Sequence, residues 1–360
     1  MHAAAPQPHQ RRTLLKCLAV APAWGAWPAW SQPQAALQNE RKARYAQRLK
    51  ALLQKGVLPY IDIESSCNAS RVDIANLAAQ MDVLGIGLMA LSSDLGHGAC
   101  TRGVRFDDFS AQTMTQFPDR FIPVGNGGQG PCFLDTPDEF LAAQTQAYQS
   151  GKIDLLGEYE FRHYPSPRQV ERGQGEEIER DVHVPIDGPA GHQLFRFSHE
   201  TGVPFQIHYE IEDALLAPLE KMLETYPRAK PIWCHLAQVR YIERAPRYTP
   251  AYVEGLIQRF PNLYWDTAFG NARSVYPLSG QRHSRIWAAQ NSLHSAWRDL
   301  LVAYPQRFLA ALDLGGDRMD KIAKDDADLR RFLALLPATV QQQLAYRNAW
   351  RLLYGEEASF

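Results

Sequence analysis

From residue 57 onward, short apolar runs alternate with longer stretches of helical character, and this alternation limits the fold more than any other feature of the chain. A short apolar run bounded by turn signals reads as a buried strand. A helix between two such runs brings the chain back in the same direction, which builds a parallel sheet. The candidate strands are 58–64, 85–91, 121–125, 153–160, 204–209, 231–235, 263–267 and 308–313. Helical intervals fall at 71–84, 136–150, 191–201, 211–226 and 250–259. Units of this kind, recurring every 25 to 45 residues or roughly so, fit an α/β chain closed into a (β/α)8 TIM-type barrel over residues 37–360. No Gly-x-Gly-x-x-Gly follows the first strand, which disfavours a dinucleotide-binding doubly wound sheet.

Side chains two apart on a strand share a face. Asp62 and Glu64 are so related in the first strand, and Glu158 and Glu160 in the fourth. The fifth strand nears its end at His208, the sixth ends at His235 and the eighth at Asp313. A lone histidine near a strand end is usually a hydrogen-bonded core or rim group. Five strands bringing carboxylates and imidazoles to their carboxyl ends are a different matter, because barrel enzymes place their sites there. Buried charges must be paired, and one divalent metal ion would satisfy them all.

The phrases Phe205-Gln206-Ile207-His208, Trp233-Cys234-His235-Leu236-Ala237, Asn262-Leu263-Tyr264-Trp265-Asp266-Thr267 and Arg307-Phe308-Leu309-Ala310-Ala311-Leu312-Asp313 resemble strands five to eight of the amidohydrolase superfamily, in particular its amidohydrolase-related (amidohydrolase 2) branch. Tyr346-Arg347-Asn348-Ala349-Trp350-Arg351-Leu352-Leu353 is similar to the terminal helix of that branch. The resemblance spans residues 57–355 and rests on the order and spacing of short, degenerate segments. It implies a metal-dependent barrel in which His208 binds metal, His235 binds metal or polarises substrate, and Asp313 binds metal or acts as general base.

The first strand departs from the family. Where the pattern is Asp-x-His-x-His, this chain has Asp62-Ile63-Glu64-Ser65-Ser66, so two histidine ligands are replaced by Glu64 and Ser66. The site is then either oxygen-rich, with Glu64 as replacement ligand, or free of metal. Gly157-Glu158 resembles the fourth strand of the related TatD-like deoxyribonucleases, where a glutamate binds metal. The candidate ligands are therefore Glu64, Glu158, His208, His235 and Asp313, a set that suits zinc, manganese or iron. The expected activity is hydrolysis of an ester, lactone or amide of a small, cyclic or aromatic substrate. The alternatives are non-oxidative decarboxylation, which the same branch performs on aromatic acids, and a degenerate barrel that binds a ligand without turning it over.

A formal net charge of -1 and the lack of a basic stripe interleaved with aromatics disfavour nucleic acid as a partner. No apolar run is long enough for a spanning helix, so the expected mature chain is soluble. Residues 1–36 read as an export signal: Arg11-Arg12-Thr13-Leu14-Leu15-Lys16 precedes a weakly apolar run from Cys17 to Trp30, as in twin-arginine signals, which implies a periplasmic protein. In that oxidising compartment Cys100 and Cys132 are the expected disulfide, leaving Cys67 free near the first strand and Cys234 inside the sixth. The long connection 161–189 reads as a lid or a solvated insertion. Arg162 and Arg273 are candidates to grip a substrate carboxylate, with a surface salt bridge the expectation for Arg162. Tyr209, Trp265, Phe269 and Tyr276 could stack on a substrate, whereas Trp233 is expected to fill the core.

Overall fold

The computed structural model describes residues 32–128, 130–165, 181–276, 279–315 and 318–360. Most of the expected export signal, residues 1–31, lies outside the described residues. The first described helix, α1, spans Gln32–Gln54 and runs across the expected boundary at residue 36.

Eight parallel strands form the barrel: β1 Ile61–Cys67, β2 Leu88–Ser93, β3 Phe121–Pro123, β4 Leu156–His163, β5 Pro204–Tyr209, β6 Lys230–Trp233, β7 Tyr264–Asp266 and β8 Phe308–Leu309. Parallel pairing runs β1 to β2 to β3 and again from β4 through β8. Two seams close the ring. Between β3 and β4, Val124 bridges Leu155 and Gly128 bridges Tyr159. Between β8 and β1, Ile63 N–H donates to Ala310 O at 3.0 Å, Asp313 N–H to Glu64 O at 3.0 Å and Ser66 N–H to Leu314 O at 2.7 Å. A closed ring has no free edge, so every strand is satisfied on both sides.

The second seam explains Asp62. Its buried carboxylate accepts Leu312 N–H at 2.9 Å, Ser65 Oγ–H at 2.7 Å and Glu64 N–H at 3.3 Å. The pairing of β1 with β2 shifts register between Asp62 and Ser65. Simple alternation would put Asp62 beside Glu64 in the site, but Asp62 stitches β1 to the chain after β8 instead.

Helix α1 covers the amino ends of the strands. Its Arg41 is buried and donates to Asp154 through Nε at 2.9 Å and to Gly151 O at 3.0 Å. Arg48 donates to Gly87 O at 2.6 Å, and Tyr45 hydroxyl bonds Phe121 O. The opposite, carboxyl end of the barrel is left for chemistry.

Helices packed outside the ring bury Trp233 and Trp265, which stack at 6.4 Å between centroids. Tyr209 packs on Trp233 and donates to Leu215 O at 3.0 Å, and Phe269 packs edge-on to Phe332. These four aromatics are core, which decides against substrate stacking for Tyr209, Trp265 and Phe269. The connection expected over 161–189 begins differently, because β4 continues to His163 and pairs antiparallel with Val182–His183. Its centre, residues 166–180, lies outside the described residues.

Candidate metal centre

His208, His235 and Glu158 meet at the carboxyl end of the barrel. Their donor atoms lie within 4.8 Å of one another, and all three residues are buried or nearly so. His208 Nδ1 is 2.9 Å from Glu158 Oε1, and His235 Nε2 is 3.4 Å from the same oxygen. The two ring nitrogens face each other at 3.2 Å. Glu64, His235 and Asp313 form a second donor group that shares His235 with the first, their donor atoms again within 4.8 Å of one another. The structure therefore brings together all five candidates, Glu64, Glu158, His208, His235 and Asp313.

The backbone that delivers two of them is unusual. β6 ends at Trp233 and β8 at Leu309, so His235 and Asp313 lie beyond their strands, where alternation along a strand no longer applies. Both adopt left-handed conformations, with φ of 64° and 51°. For residues other than glycine this costs on the order of 1–3 kcal/mol and is held only by its surroundings. Here Asp266 Oδ1 accepts His235 N–H at 2.8 Å and Ala268 N–H at 3.0 Å, fixing the turn that presents the imidazole. Arg318 donates to Asp313 O at 2.6 Å and to its Oδ1 at 3.1 Å, fixing the carboxylate.

The donor set fits a cation. His235 Nδ1 is 2.9 Å from Ala268 O, and a carbonyl only accepts, so this nitrogen carries the proton. In a neutral ring Nε2 is then a lone pair turned toward Glu158 and His208. Glu64 is 3% exposed, and its Oε2 is buried without a hydrogen-bond partner. Burial and the charges of Asp313 and Glu158 push the Glu64 carboxyl well above its usual range. Burial opposes ionisation of Glu158 as well, yet His208 and His235 hold it well below that range. Burial pushes both imidazoles down, but Glu158 and Glu210 lift His208 well above its ordinary value, and Glu158, Asp266 and Asp313 bring His235 to about 9. The carboxylates thus demand positive charge at this point, from protons or from an ion.

A cavity of about 640 Å³ opens over the cluster. Its wall includes Tyr276, His283 and Arg240, and its rim carries Arg318, Lys321 and Lys324. Of the aromatics proposed to meet substrate, Tyr276 alone lines this cavity, with its hydroxyl 2.6 Å from Gln238 Oε1. Arg162 does not reach it: the residue belongs to β4, is 2% exposed and donates to Glu212 at 2.6 Å and Asp181 at 2.8 Å. It is a buried strand residue rather than a surface salt bridge or a loop clamp. Arg273 is exposed and donates to Gln290 at 2.8 Å, away from the cavity wall. Sequence reasoning missed Arg240, Arg318 and Glu210. Glu210 stands two residues after His208, so the alternation that related Glu158 to Glu160 carries its signal. Arg240 and Arg318 sit in irregular connections with no period to betray them.

No protein-family model and no curated protein matches the chain. Solved structures do. An amidohydrolase 2 from Bifidobacterium longum subsp. infantis is similar at 12% identity over 82% of this chain and 99% of its own, with a TM-score of 0.41. A 4-oxalomesaconate hydratase from Rhodopseudomonas palustris is similar at 16% identity over 87% of this chain and 92% of its own, with a TM-score of 0.45. A dihydroxybenzoic acid decarboxylase from Polaromonas, solved with bound manganese and 2-nitroresorcinol, is similar at 12% identity over 82% and 97%, with a TM-score of 0.49.

Proposed function

We propose that the protein is a metal-dependent hydrolase that cleaves an ester, lactone or amide bond of a small substrate, in the periplasm, to which residues 1–36 direct it by the twin-arginine route. The observation that carries this reading is the convergence of His208 Nδ1, His235 Nε2 and Glu158 Oε1 under a large cavity at the carboxyl end of the barrel. Glu158, His208 and His235 would hold the ion, with Glu64 and Asp313 grouped about the same His235. A zinc, manganese or iron ion held there would supply Lewis-acid activation of water and of the scissile carbonyl.

The chain's own groups do the rest. Asp313 faces the cavity with its carboxylate oriented by Arg318, in position to accept a proton and return it to the leaving group. His235, fixed by Ala268 and Asp266, would present Nε2 to the ion. Among the described residues, Arg318 and Lys324 on the rim are paired with Asp313, Asp325 and Asp328, which leaves Lys321 to meet a negatively charged substrate, and that feature also supports the second reading, decarboxylation of an aromatic acid.

The two are separated by assaying acid release from esters, lactones and amides against CO2 release from aromatic acids, with Asp313→Asn as control. Acid release lost in Asp313→Asn supports the hydrolase. CO2 release in its place supports the decarboxylase. Ligand binding with neither product would show a barrel that no longer catalyses.

A further inference from the structure

We infer that Glu210, locked by Arg240, is the positioning residue that decides which nitrogen of His208 faces the metal centre. The inference rests on the reading of His208 as a metal ligand. An imidazole presents two nitrogens, and a carboxylate behind a ligating histidine fixes its tautomer and its ring orientation. His208 has such a carboxylate. Its Nδ1 faces Glu158 at 2.9 Å and His235 at 3.2 Å, while Nε2 faces Glu210 Oε1 at 3.6 Å, a charge-pair distance. A proton drawn to Nε2 by Glu210 leaves the Nδ1 lone pair for the ion.

Glu210 is held from three directions. Arg240 donates through Nη2 to Oε1 at 2.7 Å and through Nε to Oε2 at 3.0 Å, a two-pronged contact that fixes the plane of the carboxylate. Tyr164 N–H adds a bond to Oε1 at 3.2 Å, and Glu210 N–H donates to Arg162 O at 3.0 Å, anchoring the residue just beyond β5. Arg240 in turn lies over the Tyr276 ring at 4.6 Å. The arrangement is the complement of the one at His235, where Ala268 O takes the Nδ1 proton and leaves Nε2 for the centre. The two histidines therefore offer opposite nitrogens, each pinned by a partner on its outer side.

His163, His208 and Glu210 also place donor atoms within 4.8 Å of one another, so Glu210 could instead be a ligand of a separate ion. The guanidinium already seated on both Glu210 oxygens opposes a second cation there.

The test uses the mature protein loaded with zinc, with affinity from chelator competition and stoichiometry from elemental analysis. Glu210→Met, which removes the acceptor, should weaken zinc binding about 10- to 100-fold without changing the number of ions bound. Glu210→Gln keeps an acceptor oxygen and should recover part of the loss. Nitrogen NMR of the zinc-loaded parent should show the His208 proton on Nε2, with that signature lost in Glu210→Met. If Glu210→Met does not fold, Arg240→Met should still weaken zinc binding by releasing Glu210. Unchanged affinity in both variants, or a His208 proton on Nδ1, would overturn the inference, as would a parent that binds two ions and loses one outright in Glu210→Met. A parent that binds no zinc would instead defeat the metal reading itself, and the inference with it.

Discussion

Asp62 is fully buried and Asp313 half-exposed, and their bonding separates structure from chemistry. Asp62 is fully engaged with two backbone N–H groups and a hydroxyl across the β8–β1 seam. Removing its carboxylate leaves those donors buried and unpaired, each at about 1–3 kcal/mol. Part of this is offset, because burial, only partly countered by those hydrogen bonds, pushes the Asp62 carboxyl up to about 7, and its removal relieves that cost. Asp62→Ala should therefore destabilise the protein by about 3 kcal/mol, read as a lowered urea midpoint at unchanged slope. Asp313 lies in the cavity wall, and its side-chain contact is with the half-exposed Arg318. Asp313→Asn should leave the unfolding curve close to the parent's and cut turnover by about 100-fold or more, since an amide cannot accept the proton. A large stability loss with turnover retained would exchange the roles assigned to these residues.

At the scale of elements, the positions of the strands were legible in the sequence, and their ends were not. The run at 204–209 coincides with β5, because Gly202 ends the preceding helix just before Pro204. The run at 58–64 becomes Ile61–Cys67, since Leu58 and Pro59 are apolar for burial under Arg330, which donates to Leu58 O at 3.0 Å, and not for strand pairing. An apolar run reports burial, and ladder pairing depends on partners distant in the chain. The same limit explains the extension of β4 to His163, which pairs with Val182–His183 across the insertion. The site was legible where a side chain stands within a strand and alternation still applies, as at Glu158 and His208. At His235 and Asp313 the residues were legible, but their left-handed backbone was not. Arg240 and Arg318 were hidden because irregular connections carry no period.

The loops after β2 and β3 illustrate a pairing that the order of elements does foretell. Cys100 in the short helix His97–Thr101 is bonded to Cys132 in Pro131–Asp135, and Cys67 and Cys234 are free and buried. The bridge closes a loop across a sequence separation of 32. In the chain-entropy account such a loop contributes about 3 to 4 kcal/mol. Mass mapping of the unreduced protein should recover a peptide pair joining Cys100 to Cys132, and reduction should lower the melting temperature. Four alkylatable thiols in the unfolded, unreduced mature chain would contradict both expectations.

At the scale of the molecule, one end of the barrel is sealed and the other is open. Helix α1 is tied to the amino ends of β2, β3 and β4 through Arg48, Tyr45 and the buried Arg41–Asp154 pair, whereas the cavity opens at the carboxyl ends. We expect a reporter fused to residues 1–36 to reach the periplasm, and to stay in the cytoplasm when Arg11 and Arg12 are both changed to lysine. Indifference to that change would remove the twin-arginine route.

The central claim is that the carboxylates at the barrel mouth are balanced by a divalent ion rather than by protons on His208 and His235. Elemental analysis of the protein, purified from its native compartment without added metal, tests it most directly. The account predicts about one equivalent of zinc, manganese or iron, lost when His235 is changed to asparagine while the fold persists. Less than a tenth of an equivalent, or roughly that level, in a folded parent that also fails to take up zinc or manganese on dialysis would contradict it.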